Sequence, residues 1–160
     1  MTQMFRTLLV AINGSDASID ALKYALAAEK QLGSRVIACY VVDTATIRQL
    51  AISRIFVPDE SEEYERSLEN SGRRYLNFCK EIAARKRLAV ELILGKGSVP
   101  GEIIKAAAEN DADCIILGGN PTEMQSRDAI ADANREIVRN SRCPVIFIKP
   151  GTGEDLYRSI

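Results

Sequence analysis

Five short apolar runs alternate with four stretches of helical periodicity along this chain, and that alternation constrains the fold more than any other feature. The runs Phe5 to Ile12, Val36 to Val42, Leu88 to Leu94, Asp113 to Leu117 and Pro144 to Pro150 read as strands, each closed by turn residues. The second run is apolar almost throughout, which suits a strand covered by helices on both faces. Between the runs, Ile19, Leu22, Leu26 and Leu32 recur at helical spacing, with Asp16 or Ser18 as N-cap and Gly33 as C-cap. A long helix from about Glu62 carries Leu68, Tyr75, Leu76, Cys79, Ile82 and Ala83 as its stripe. A third helix after Ser98 turns Ile103, Ile104, Ala107 and Ala108 inward, and a fourth between Met124 and Asn140 does so with Ile130, Ala133, Ile137 and Val138. A βαβαβαβαβ order with crossovers of helical length specifies an α/β fold with one five-stranded parallel sheet, right-handed crossovers and helices on both faces. Residues 43–63 read as a loop around a short helical piece at Ala45 to Ile52. Residues 1–150 form one domain, and residues 151–160 read as a C-terminal tail.

Composition narrows the chemistry. Of 160 residues none is histidine, which excludes Ser-His-Asp and Cys-His catalysis and removes the commonest zinc ligand. A net charge of -1, with both signs interspersed, leaves no long-range basic field for nucleic acid or anionic lipid. Cys39, Cys79, Cys114 and Cys143 lie far apart with no CxxC pair, as buried reduced thiols of a cytoplasmic protein do. Nothing in Met1 to Arg6 reads as an export signal, and no apolar run approaches the ~20 residues of a membrane span. The expected metal is none, and neither nucleic acid nor membrane is an expected partner.

The fourth run, Ile115-Ile116-Leu117, ends in Gly118-Gly119-Asn120-Pro121. In an open α/β sheet, ligands sit in the crevice at the carboxyl ends of the strands where the strand order reverses, so a ligand here depends on the residues after Gly118. Two other segments give weaker signals. Gly95-Lys96-Gly97-Ser98 lacks the frame of a Walker loop and reads as a strand-to-helix turn. Arg73, Arg74, Lys80, Arg85, Lys86 and Arg87, interleaved with Glu81 and without an aromatic stacking pattern suited to single strands, read as a solvated helix face.

Four pieces in order carry a resemblance: Thr7-Leu8-Leu9-Val10-Ala11-Ile12-Asn13-Gly14-Ser15, Gly97-Ser98-Val99-Pro100, Asp113-Cys114-Ile115-Ile116-Leu117-Gly118 and Cys143-Pro144-Val145. From Phe5 to Pro150 the chain resembles the universal stress protein family. The resemblance implies a strand order of 3-2-1-4-5, related to the adenine nucleotide alpha hydrolase folds, and a crevice between strands 1 and 4. It also implies a homodimer paired through strand 5, here Val145, Ile146, Phe147 and Ile148. That pairing has its own physical support, because a flat apolar edge strand is otherwise a template for unwanted association.

Family members that bind ATP carry G-x-x-G-x9-G-(S/T) after strand 4. Counted from Gly118, the second glycine falls on Pro121, the third on Ala131 and the Ser/Thr on Asp132. Proline lacks an N–H, and alanine restricts a position where backbone must approach the ligand. A carboxylate about 4 Å from one phosphate charge costs on the order of 4 kcal/mol at an effective dielectric of ~20, against the ~0.3 to 2 kcal/mol that a helix N-terminus offers an anion. Asn13 stands where ATP-binding members have aspartate, and it also suits a turn before Gly14. Asp128 and Asp132 are expected to satisfy helix N-terminal amides in place of a phosphate.

The sequence therefore reads first as a homodimeric stress-response signalling or interaction module without ATP or another cofactor, acting on an unknown protein partner. The alternative is an adenine-nucleotide-binding protein, for AMP or ATP, using Ala11, Ile12, Asn13, Val41, Leu117, Gly118 and Asn120. A third reading takes Asn13-Gly14-Ser15-Asp16-Ala17-Ser18 as a relic of the S-G-G-x-D-S pyrophosphate loop of ATP-dependent adenylating enzymes, although the double glycine and leading serine are absent.

Overall fold

A computed structural model describes residues 4–120, 122 and 127–160. Its elements in chain order are β1 (Thr7–Ile12), α1 (Asp16–Leu32), β2 (Arg35–Asp43), α2 (Thr44–Ile52), α3 (Pro58–Arg85), β3 (Glu91–Gly97), α4 (Val99–Glu109), β4 (Cys114–Gly118), α5 (Ala129–Asn140), β5 (Val145–Ile148) and α6 (Thr152–Ser159). The strands form one parallel sheet in the order β3-β2-β1-β4-β5.

Strand periodicity splits the apolar residues into two cores. Leu8, Val10 and Ile12 of β1 point with Val36, Ala38, Tyr40 and Val42 of β2 toward α1, α3 and α6. Leu9, Ile37, Cys39, Val41, Ile115 and Leu117 point the other way, onto Ile103 of α4 and Ile137 of α5. Both faces of the central strands are thus dry, and burial pushes the Cys39, Cys79 and Cys114 thiols up to about 12, leaving them neutral.

Several local expectations are corrected. The N-cap of α1 is Ser15, whose hydroxyl accepts from the Ser18 amide at 3.1 Å, instead of Asp16 or Ser18. Strand β3 is displaced by three residues from the apolar run. Arg87 takes a positive φ of 58° and Leu88 donates its amide to the Ala83 carbonyl, so Leu88 and Val90 anchor the connection and Gly95 to Gly97 become strand. The Gly97 backbone lies so close to α4 that a Cβ there would sit 3.0 Å from the Glu102 side chain. On α4, Ala106 is buried where Ala108 was expected. On α5, Ala131 and Ile137 are buried, whereas Ile130 is 44% and Val138 43% exposed, so the face that meets the core runs through Ile137 and not through Ile130 or Val138 of the expected stripe. The long helix begins at Pro58, earlier than expected.

The expected tail is helix α6, docked on α1. The Asp20 carboxylate accepts the Gly153 and Glu154 amides at 3.3 and 2.8 Å, capping α6 from another element. A Cβ on Gly153 would lie 1.8 Å from the Asp20 carbonyl oxygen, so only glycine permits this approach. The Tyr157 hydroxyl donates to the Ile82 carbonyl at 2.8 Å, and Lys23 pairs with Glu154. Among the described residues no helix is long and apolar enough to cross a membrane.

Candidate functional site

β1 and β4 lie side by side in the sheet while their outgoing helices leave on opposite faces, so the chain parts at their carboxyl ends. Two cavities occupy this parting. The larger, about 500 Å³, lies between the ends of β1 and β2 and helices α2 to α5, with Ile12, Val41, Ile103 and Ile137 among its apolar walls. The smaller, about 410 Å³, is lined by Gly118 at the end of β4, Gly119 and Asn120 after it, and the first turn of α5. Ala129, Ile130 and Asn134 line both, so the two are continuous along α5.

The expected site residues divide between them. Ala11, Ile12, Asn13 and Val41 line the larger cavity, while Gly118 and Asn120 line the smaller. Leu117 lines neither; it is 1% exposed and belongs to the core beneath α4 and α5, because its side chain alternates away from the opening. Of the motif positions that depart from the ATP-binding pattern, Ala131 lines the smaller cavity and Asp132 the larger, and Pro121 lies outside the described residues.

Asn13 is held by its own turn. Its Oδ1 accepts the Ser15 amide at 3.0 Å and the Ser15 hydroxyl at 2.5 Å, and its amide donates to Ser18 Oγ at 3.3 Å. Gly14 follows at φ 82°, with the Tyr75 ring where a Cβ would point. Gly118 is fixed by packing: a Cβ there would be 1.9 Å from the Ala17 carbonyl oxygen, at the start of α1. At the α5 terminus Asp128 is the N-cap, and its Oδ1 accepts the Ala131 amide at 2.7 Å. Asp132 pairs with Arg135 one turn further along.

Residues missed in the sequence complete the larger cavity. Tyr40 and Tyr64 present aromatic rings from β2 and α3, and Tyr40 stacks on Tyr75 with centroids 6.0 Å apart. Burial, then the neighbouring Tyr75 and Tyr64, raises the Tyr40 phenol above its ordinary value, so it stays neutral. Asp43, Asp132 and Glu136 supply carboxylates, with Asp43 also capping α2 through the Thr46 amide at 3.0 Å. Neither Lys nor Arg is among the described residues lining either cavity. The signal available for Asp43 was its place directly after the apolar run of β2; the tyrosines were indistinguishable from core residues. No group of three or more metal-ligating side chains is found among the described residues.

A parallel sheet of order 3-2-1-4-5 opening at the β1–β4 boundary defines the class of open α/β domains whose ligand crevice, where they have one, lies at the point of strand reversal. The model of the universal stress protein family matches residues 4–149. A Bacillus subtilis universal stress protein is 27% identical over 91% of this chain and all of its own length. The fold is shared with a universal stress protein family structure from Burkholderia pseudomallei, at a TM-score of 0.71 and 24% identity over 92% of this chain and 98% of that one. It is shared also with an Arabidopsis thaliana family structure with AMP bound, at a TM-score of 0.62 and 15% identity over 92% of this chain and 94% of that one. The chain belongs to the universal stress protein family.

Proposed function

We propose that this chain is a universal stress protein that works without ATP, as a homodimeric signalling or interaction module. The observation that carries this reading is the state of the α5 terminus: Asp128 already accepts the Ala131 amide, at the position a phosphate would approach. A triphosphate would have to displace that carboxylate, then lie beside Asp132 and Glu136 with no Lys or Arg among the described lining residues to offset the repulsion. The dimer reading rests on β5, the last strand of the sheet, where Val145, Ile146 and Phe147 are only half-buried and one backbone edge has no strand partner among the described residues. No catalytic role is assigned, since Asn13 and Ser15 hydrogen-bond each other in a turn and leave the adenylating-enzyme reading without a phosphate loop.

The test is isothermal calorimetry with ATP and magnesium on the intact protein and on the variant combining Pro121→Gly, Ala131→Gly and Asp132→Ser. The expected result is no heat of binding up to 1 mM ATP for the natural sequence (about −4.1 kcal/mol at most) and a measurable gain in the variant. Submillimolar affinity in the natural sequence overturns the reading. AMP is the second ligand to titrate, because the apolar walls and exposed backbone of the larger cavity suit a purine and the AMP-bound relative shares this fold.

A further inference from the structure

We propose that the larger cavity takes an organic cation, with a flat body against its apolar and aromatic walls and an ammonium-type charge facing Asp43, Asp132 and Glu136. This rests on the reading above, that the crevice is not a triphosphate site, and adds the sign of charge that it favours.

The cavity supplies the body's site. Its volume of about 500 Å³ lies within the ~300–1,000 Å³ range of small-molecule pockets. Tyr40 and Tyr64 come from separate elements, one from β2 and one from α3, and both line the same space. Aromatic rings attract cations through their quadrupoles, and both rings are anchored in the wall by aromatic neighbours, Tyr40 by Tyr75 and Tyr64 by Phe56.

The walls also set the charge. Asp132 and Glu136 are one helical turn apart on α5 and so share a face, and Asp43 closes β2 across the cavity. Asp43 accepts from Thr46 and Asp132 pairs with Arg135. Glu136 has no partner among the described residues, and its charge therefore stands uncompensated at the opening. An anionic ligand would meet these carboxylates with no Lys or Arg among the described lining residues in exchange. A cationic one completes them.

The experiment uses three probes with one body and different charge at the 5′ position: 5′-amino-5′-deoxyadenosine, adenosine and AMP, titrated calorimetrically into the intact protein at low ionic strength, with ATP alongside. One carboxylate at about 4 Å in a water-like dielectric corresponds to roughly a fivefold difference. The amine is expected to bind at least about fivefold tighter than adenosine, and adenosine tighter than AMP. The amine's advantage over adenosine, taken as the ratio of the two affinities in each protein, should shrink at 0.5 M salt and in Glu136→Gln. Equal affinity for all three, tighter binding of AMP, no binding of any probe, or an amine unaffected by Glu136→Gln overturns the inference. Submillimolar ATP affinity instead overturns the underlying reading, so the two failures are distinguishable.

Discussion

If Asp128 stands in for a phosphate at the start of α5, deleting its side chain should create an anion site. In Asp128→Ala the Ala131 amide loses an acceptor at 2.7 Å and the helix loses its N-cap. Loss of a cap costs about 1 kcal/mol, and loss of a negative charge at the positive end of the helix dipole adds about 0.3–1 kcal/mol at an exposed position. For a chain of this length, each kcal/mol lowers Tm by about 2–4 °C, so a fall of roughly 3–8 °C is expected. A sulfate ion would then find an uncapped helix N-terminus. With a dissociation constant on the order of 1 mM, 10 mM sulfate returns about 1.4 kcal/mol, most of the loss. Circular-dichroism melts of both proteins in sulfate and in chloride at matched ionic strength measure this directly. Sulfate should raise the variant's Tm several degrees more than the natural protein's. Equal gains in both, or a variant that melts with the natural protein, would refute the assignment of Asp128.

Two further predictions concern stability. Asp20→Ala removes a 9% exposed carboxylate that accepts two α6 amides and should cost about 2 kcal/mol, with hydrogen exchange accelerated in residues 152–159 and not in β1 or β4; uniform acceleration would contradict the docking role. Burial raises the Glu29 carboxyl above its ordinary value, partly offset by the Ala89 amide bond, so the folded protein keeps this proton to higher pH than the unfolded chain. Its contribution to stability is then fully present below about pH 4.3 and lost as pH rises through the folded value, so the stability of Glu29→Gln relative to the natural protein should increase from pH 4 to pH 7 in urea titrations, and a constant difference would contradict it.

The sheet was legible because buried parallel strands leave unbroken apolar runs, and even the order of β3-β2-β1-β4-β5 followed from the family resemblance of those runs. What escaped depends on long-range partners. Gly151 at φ 90° after Pro150 reads as punctuation, and the helix it introduces is specified by Asp20, more than a hundred residues earlier. Strand β3 slipped because Leu88 and Val90 are apolar for packing beneath α3, while Gly95 and Gly97 are strand through their pairing with Val41 and Asp43 of β2. Within the site, Ala11, Ile12, Asn13 and Val41 follow from the strand ends, but Tyr64 reaches the same cavity from a helix whose sequence gives no sign of it. Asp128 was legible as a cap from its place before a helical stripe, whereas the Asp132–Arg135 pairing is a matter of side-chain reach.

The close approach of β4 to the first turn of α1 bears on how nucleotide signatures are recognised. Alanine at position 118 would put a methyl group inside the Ala17 carbonyl, so this glycine must persist wherever those two backbones meet, with or without a ligand. A search template that scores it as evidence of phosphate recognition is counting an architectural necessity. Discriminating weight belongs to positions such as 131 and 132, where this chain carries alanine and aspartate.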